Sequence, residues 1–428
     1  MEPQLGLHEL LHVFSFLEAR DLLCAAQVDK VWNEVSRTKE LWRQLCLRRW
    51  SSCKASQMTL GTQTWKQYYL CRSELEFRME SGRPEKDFIC KAIAGHKGGI
   101  DELAYISTNE CRFDGREKSV VCTVSSDSTV RAWDVQEGTE IWSSPLQPAA
   151  LVNLVTYPRL QLVVTVDKLG LIKVWKAENG REWASFSLPT YSSALQACDH
   201  PEGPFLLVAS VEGILYALSM PQLQLLSRTS VFPSSPTSLL CSPDCQWVFA
   251  STQDSDLGPK IASFLLPDTM TPPHLMKGHG SQLILLVSGS ELVLFTIQGL
   301  QLAAFQDHQK PVTSLWVVSV GPPACIVARP PEPAAPPHLA SHFKDQSRVL
   351  TASFDLSLRV YVWNKENKFP VLKSCYHLLG GSHRWASGFT HVESDSMSIV
   401  GVEARSIGTS ILRSYCFNMQ HGSDDCVN

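Results

Sequence analysis

Ser125-Ser126-Asp127-Ser128-Thr129-Val130-Arg131-Ala132-Trp133-Asp134 is the stretch that decides the fold. A small polar turn leads into a short alternating run that ends on an aromatic residue and an acid. Gly95-His96 opens the segment, 37 residues before Trp133. The pattern then returns. Thr165-Val166-Asp167-Lys168-Leu169-Gly170-Leu171-Ile172-Lys173-Val174-Trp175 places a second tryptophan 42 residues beyond the first. Glu212-Gly213-Ile214-Leu215-Tyr216-Ala217-Leu218 is a degenerate third copy, with Leu218 a further 43 residues on. Ser242-Pro243-Asp244 opens a fourth, with Phe264 at the aromatic position, and a fifth ends at Leu292-Val293-Leu294-Phe295. Leu350 to Trp363 is the best copy after the first, and Asp307-His308 stands before it in place of Gly-His. Ser410-Ile411-Leu412-Arg413-Ser414-Tyr415 is the last.

A period near 42 resembles the WD repeat, one four-stranded blade per copy. A single blade cannot bury both faces; stacking blades around a ring buries them and leaves only short, protected edges. The resemblance therefore implies an all-β propeller of about seven blades over 89–420. Two gaps are irregular. Phe264 to Phe295 is only 31 residues, and Phe295 to Trp363 is 68. The excess is visible as 321–344, which carries seven prolines and reads as a disordered insert between Trp316 and Arg348. Proline cannot donate to a ladder, so this stretch is not a central strand.

The first eighty residues have helical rather than strand periodicity. Leu10, Phe14 and Leu17 recur at helical spacing, and Leu22, Ala25, Val28, Trp32 and Val35 make a second stripe, with Asp21 placed as its N-cap. Leu41, Trp42 and Leu45 mark a third helix. Three short helices bury little surface alone, and these stripes are wider than their mutual packing needs. Glu9-Leu10-Leu11-His12-Val13-Phe14-Ser15-Phe16-Leu17, then Asp21-Leu22, Gln27-Val28, Trp32 and Leu41-Trp42, resemble the F-box. Two positions depart from the pattern: Gly6-Leu7 replaces the usual Leu-Pro, and Asp29 follows Val28 in place of Cys. Thr64 to Leu75 reads as a further helix linking the two parts. The fold class is thus α+β and multidomain: an F-box at 1–50, a helical linker at 51–88, the propeller at 89–420 and a tail at 421–428.

Composition removes several alternatives. The chain has 428 residues, 44% hydrophobic and 19% charged, which suits packed cores rather than a disordered chain. Its 38 basic and 42 acidic residues give net −4, so no global basic field invites nucleic acid or an anionic membrane. The basic run Arg37, Lys39, Arg43, Arg48, Arg49 and Lys54 is read as a solvated face. No leader peptide and no membrane-spanning run is expected. The 14 cysteines contain no Cys-x-x-Cys, which points to reduced thiols in the cytoplasm or nucleus. Phosphate-cradling glycine loops, His-Glu-x-x-His and a Gly-x-Ser-x-Gly elbow are all missing from the sequence. The expectation is therefore a non-enzyme with no catalytic residues, no metal and no cofactor.

An F-box followed by WD repeats resembles the F-box/WD-repeat family over almost the whole chain. Trp65-Lys66-Gln67-Tyr68 and Trp133-Asp134-Val135-Gln136-Glu137-Gly138 look closest to its subgroup twelve in mammals. The resemblance implies a substrate receptor of an SCF-type ubiquitin ligase. Leu10, Leu11, Phe14, Leu17, Leu22, Val28 and Trp32 would bind a Skp-type adaptor and, through it, a cullin. The propeller would bind an unknown protein substrate. The alternative is a non-degradative scaffold with a weakened F-box, on the strength of the absent Leu-Pro. Candidate substrate contacts are Asp101, Asp127, Asp167, Glu212 and Asp355. The positions before the turn acid, read as Ser126, Val166 and Phe354, and the first-strand positions Asp101 and Thr313 carry no arginine for a phosphate. An unphosphorylated, neutral or basic segment, or a folded surface, is the expected ligand.

Overall fold

The computed structural model describes residues 6–50, 64–107, 118–200, 203–230, 236–241, 248–252, 273–279, 283–296, 298–318, 348–364, 371–382 and 384–418. The N-terminal part holds α1 (Leu7–Phe14), α2 (Ala19–Ala25), α3 (Lys30–Ser36), α4 (Lys39–Arg49) and α5 (Trp65–Ser81). Four helices, not three, thus precede Trp50. The stripe from Leu22 to Val35 breaks because Asp29 caps α3: its carboxylate accepts the Trp32 N–H at 2.8 Å, a local bond that competes with helix continuation. The carboxamide of Asn33 then donates to Ala26 O at 2.7 Å and ties the two pieces together. Asp21, read as a cap, lies instead in the first turn of α2, whose N-cap is Glu18.

These helices share one core of Leu10, Phe14, Leu22, Val35, Leu41, Trp42 and Trp50, closed by Trp65, Tyr68 and Tyr69 of α5. Thr64 and Gln67 form a reciprocal capping box at the start of α5. The helix runs on to Ser81, past the expected end at Leu75, and stops at Gly82 in the left-handed conformation (φ 55°). Its last turns sit in the propeller. Leu75 and Met79 are buried with Leu350, Phe389, Tyr415 and Phe417. The Tyr376 hydroxyl donates to Met79 O at 2.7 Å, and Arg78 donates to Phe417 O at 3.5 Å.

After β1 (Ile89–Ile93) the chain forms successive antiparallel sheets. The first is β2–β5 (Ile100–Tyr105, Val120–Ser125, Val130–Asp134, Thr139–Ser143). The second is β6–β9 (Leu151–Tyr157, Leu162–Asp167, Leu171–Lys176, Glu182–Ser187). The third is β10–β13 (Ser192–His200, Gly203–Ser210, Ile214–Ser219, Leu225–Ser230). Of the fourth, β14 (Pro236–Cys241) and β15 (Val248–Thr252) are described, and Phe264 lies outside the described residues. The fifth is β16–β19 (Leu275–His279, Leu283–Ser288, Glu291–Thr296, Gln301–Phe305), and the sixth is β20–β23 (Val312–Val318, Arg348–Ser353, Ser357–Asn364, Val371–Leu379). The seventh joins β24–β26 (Ala386–Ser394, Ser398–Arg405, Ser410–Cys416) to β1. The described residues thus give six four-stranded sheets and one two-stranded sheet. First strands of consecutive sheets pack side by side, and β24 lies against β2.

The short Phe264–Phe295 gap has a simple cause: the whole fifth blade fits within Leu275–Phe305, because its second and third strands join through Gly289-Ser290 alone. The 321–344 insert lies outside the described residues, but its flanks do not. Val318 pairs with Arg348, so the insert connects neighbouring strands of one sheet.

Candidate functional site

Six of the seven first strands carry a bulge at their second residue. The ladder skips between Ile100 and Glu102, Leu151 and Asn153, Ser192 and Ala194, Pro236 and Ser238, Val312 and Ser314, and Ala386 and Gly388. Each bulge re-aims one residue at the rim of the ring. That rim, together with the turns between second and third strands, forms the top face. The helices attach to the opposite face, where β1 begins and β26 ends.

The quoted motif holds the top loops in place. In the first blade, Trp133 Nε1 donates to Thr123 Oγ1 at 2.8 Å, and Thr123 Oγ1 meets His96 Nε2 at 2.8 Å. His96 Nδ1 meets Asp127 at 2.9 Å, and Asp127 also accepts the N–H of Lys97 and of Thr129. Burial keeps the His96 imidazole below its ordinary pKa, against the pull of Asp127, and since a carboxylate only accepts, Nδ1 is the donor in that pair. Asp127 resists its own desolvation because Thr129, His96 and Lys97 donate to it, and its pKa is held low. Gly95 is required here: a Cβ would lie 2.4 Å from the Trp133 ring.

The sixth blade repeats the arrangement with one exchange. His308 bridges Thr351 (2.7 Å) and Asp355 (3.0 Å), but register places Tyr361, not Trp363, at the Trp133 position. Asp307 occupies the Gly95 position, and the smaller ring of Tyr361 leaves space for it. Burial raises the Tyr361 hydroxyl's pKa, and the nearby Asp307 carboxylate adds to the rise. Trp363, two residues beyond, stacks on His279 at 4.6 Å. The seventh blade uses an ion pair instead. Glu403 stands where Thr123 does and Arg413 where Trp133 does, and Arg413 Nε donates to Glu403 at 2.7 Å while Glu403 accepts the Gly381 N–H at 2.7 Å. The second blade keeps only the Trp175–Thr165 bond (2.9 Å). There Leu169 falls at the Asp127 position, and Asp167 takes the place of Ser125.

The helical unit offers a second surface. Leu10, Phe14 and Leu22 are buried in its core, and Leu11, Leu17 and Trp32 pack partly buried against it. Val28, between α2 and α3, is 61% exposed; Leu7 and Val13 of α1, Phe16 just beyond it and Val31 of α3 are exposed too. Of the seven expected adaptor contacts, then, Leu10, Phe14 and Leu22 hold the unit together from inside, and Val28 lies on the open surface. Leu7, Val13, Phe16 and Val31 add to that surface from outside the helical stripes, since periodicity finds the face that packs.

An F-box-like family model matches residues 8–48. The human F-box/WD repeat-containing protein 12 is 31% identical, over 98% of this chain and 100% of its own length. The chain belongs to the F-box/WD-repeat family. The mouse F-box/WD repeat-containing protein 15 is 35% identical over 62% of this chain and 57% of its own. The WD40 propeller domain of Doa1, a solved structure, is 14% identical with a TM-score of 0.48, over 78% of this chain and 96% of that one.

The top face of this F-box/WD-repeat protein differs from what its sequence pattern promised. Asp127 and Asp355 are occupied by His96, His308 and backbone N–H groups, and Asp167 is buried, accepting the N–H of Leu169 and of Leu171. These three are turn-holding acids. Glu212 and Asp101 are exposed. Although Asp101 is exposed as a residue, partial burial of its carboxyl raises its pKa, opposed by Lys168 and His391. The residue that follows the Ser125 position in the second blade is Lys168, not Val166; with Lys97, Lys310 and Arg384 it puts exposed cations in the top loops. Among the described residues no group of His, Cys, Asp and Glu is placed to hold a metal ion.

Proposed function

We propose that this protein is the substrate-receptor subunit of an SCF-type ubiquitin ligase, acting without catalytic groups of its own in the cytoplasm or nucleus. The carrying observation is the exposed apolar set Leu7, Val13, Phe16, Val28 and Val31 on helices whose core is already complete. Exposed apolar surface gathered on one small unit marks a partner site. A Skp-type adaptor fits there, bringing a cullin with it, while the propeller's top face, on the far side, takes the protein substrate. Eight cysteines, Cys24 and Cys122 among them, are free thiols, which suits a reducing compartment. A non-degradative scaffold is the second reading, favoured by Gly6, which starts α1 without a side-chain cap where the family has Leu-Pro.

The test separates surface from core. Phe16→Asp and Val28→Asp should cut co-precipitation of adaptor and cullin about tenfold or more while thermal unfolding is unchanged, because both side chains are solvent-facing. Leu10→Ala should instead destabilise the helices by ~2–5 kcal/mol. Normal adaptor recovery by both aspartate variants rules out this docking surface. No recovery by the unaltered chain supports the scaffold.

A further inference from the structure

Three large apolar side chains stand exposed in the top loops of the sixth and seventh blades. Phe354 is 42% exposed, Trp385 57% and Ile407 72%. They are linked through the backbone. The Ser406 N–H donates to Trp385 O at 3.2 Å, which sets the Ile407 turn beside Trp385. Gly388 packs on Phe354 so closely that a Cβ would lie 2.5 Å from the Phe354 Cα. The loop opposite holds Phe354 in place, since Phe354 N–H donates to Pro311 O.

The charges around this sector have one sign. Lys310 adjoins Pro311 and is exposed. Arg384 lies over the Trp385 ring, 5.3 Å from its centre. Arg405 pairs with Ala386 across the sheet and is half-buried; its Nε is buried, with no hydrogen-bond partner among the described residues. The acids of the same two blades' top loops are drawn inward. Asp355 is held by His308, Gln309 N–H and Ser357, and Glu403 by Arg413 and Gly381 N–H; Asp307 has its Oδ2 buried, with no hydrogen-bond partner among the described residues. Among the described residues, the exposed acids of the face are Asp101 and Glu212, of the first and third blades, and Asp101 already faces Lys168.

We propose that Phe354, Trp385 and Ile407 seat a large apolar side chain of an acidic peptide segment whose Asp or Glu carboxylates are met by Lys310, Arg384 and Arg405. This rests on the reading of the top face as the receptor surface, and it replaces the neutral or basic ligand that the sequence pattern suggested. Carboxylate is favoured over phosphate because the rim positions of this sector are Thr313 and Ser387, with no arginine fork there to match phosphate geometry. The apolar residues supply the anchor and the cations the orientation and on-rate.

Four labelled synthetic peptides test this on the full chain by fluorescence polarisation: one alternating Glu with Leu and Phe, and three in which Lys replaces Glu, phosphoserine replaces Glu, or Ala replaces Leu and Phe. The Glu/Leu/Phe peptide should bind, weaken with added salt, and lose about tenfold or more with Trp385→Ala, with Phe354→Ala, and with Lys310→Glu/Arg384→Glu. All substituted side chains are exposed, so circular dichroism should show each variant folded. Equal or tighter binding of the Lys peptide, of the Ala peptide, or of every peptide to the charge-reversed variant overturns the proposal, as does a failure of all four to bind. Phosphoserine binding about tenfold tighter than Glu overturns the choice of carboxylate. Adaptor recovery measured on the same samples separates the two readings: its loss in the unaltered chain defeats the ligase role alone, and its persistence beside a wrong peptide profile defeats this inference alone.

Discussion

Thr123 is the pivot of the first blade, since it accepts from the Trp133 indole and also reaches His96. Thr123→Val keeps the shape and leaves two buried polar groups without a partner. The expected loss is ~1–3 kcal/mol by urea unfolding. A change below about 0.5 kcal/mol, the usual size for an indifferent site, contradicts the role. Acid should act on the same class of residue. His279 is buried against Trp363 and burial depresses its pKa from 6.5 to about 4. Between those values the unfolded chain binds the proton and the folded chain does not, so stability rises with pH across the window and is lost on acidification. His96 and His308 shift the same way. The thermal midpoint should therefore fall from about pH 6.5 to about pH 4, and His279→Phe, which keeps a ring on Trp363, should flatten the fall.

At the level of elements, α5 is the piece that makes two domains behave as one. Its first half closes the core of the helical unit and its second half is buried between the sixth and seventh blades. Gly82 ends it in a left-handed conformation, with a would-be Cβ 2.3 Å from the Tyr376 ring. Gly82→Ala adds ~1–2 kcal/mol of backbone cost and a clash with a ring whose hydroxyl is tied to Met79. We expect a lower thermal midpoint and faster proteolysis within 82–88; unchanged values show that the junction yields freely. The helix was legible from Trp65, Tyr68, Tyr69 and Leu75, but its extension to Ser81 was not. Arg78 and Met79 meet the propeller while Phe77 is exposed, so this stretch answers to strands remote in sequence rather than to a helical stripe.

For the whole molecule, the 321–344 insert offers the simplest test. Its flanks, Val318 and Arg348, are paired neighbours, so a short turn can replace what lies between them. Shortening the loop changes closure entropy only logarithmically, and the thermal midpoint should stay within a few degrees; a collapse of soluble yield shows the segment is structural. The repeats and the helical N-terminus could be read directly, because a blade needs its turn and its aromatic at a set spacing and a packed helix needs its 3.6-residue stripe. Trp133 and Trp175 stand where that spacing puts them. Trp363 does not, since a sequence cannot tell which aromatic faces Thr351 when Asp307 has taken the glycine's place. Nor can it show that Arg413 and Glu403 replace Trp and Thr, or that Asp127 and Asp355 spend their charge inward while Lys168, Lys310 and Arg384 remain outside. Strand spacing is a local property, fixed by backbone geometry and written into consecutive residues. The charge and shape of the top face arise from loops of different blades brought together by ring closure, so only the tertiary structure decides them.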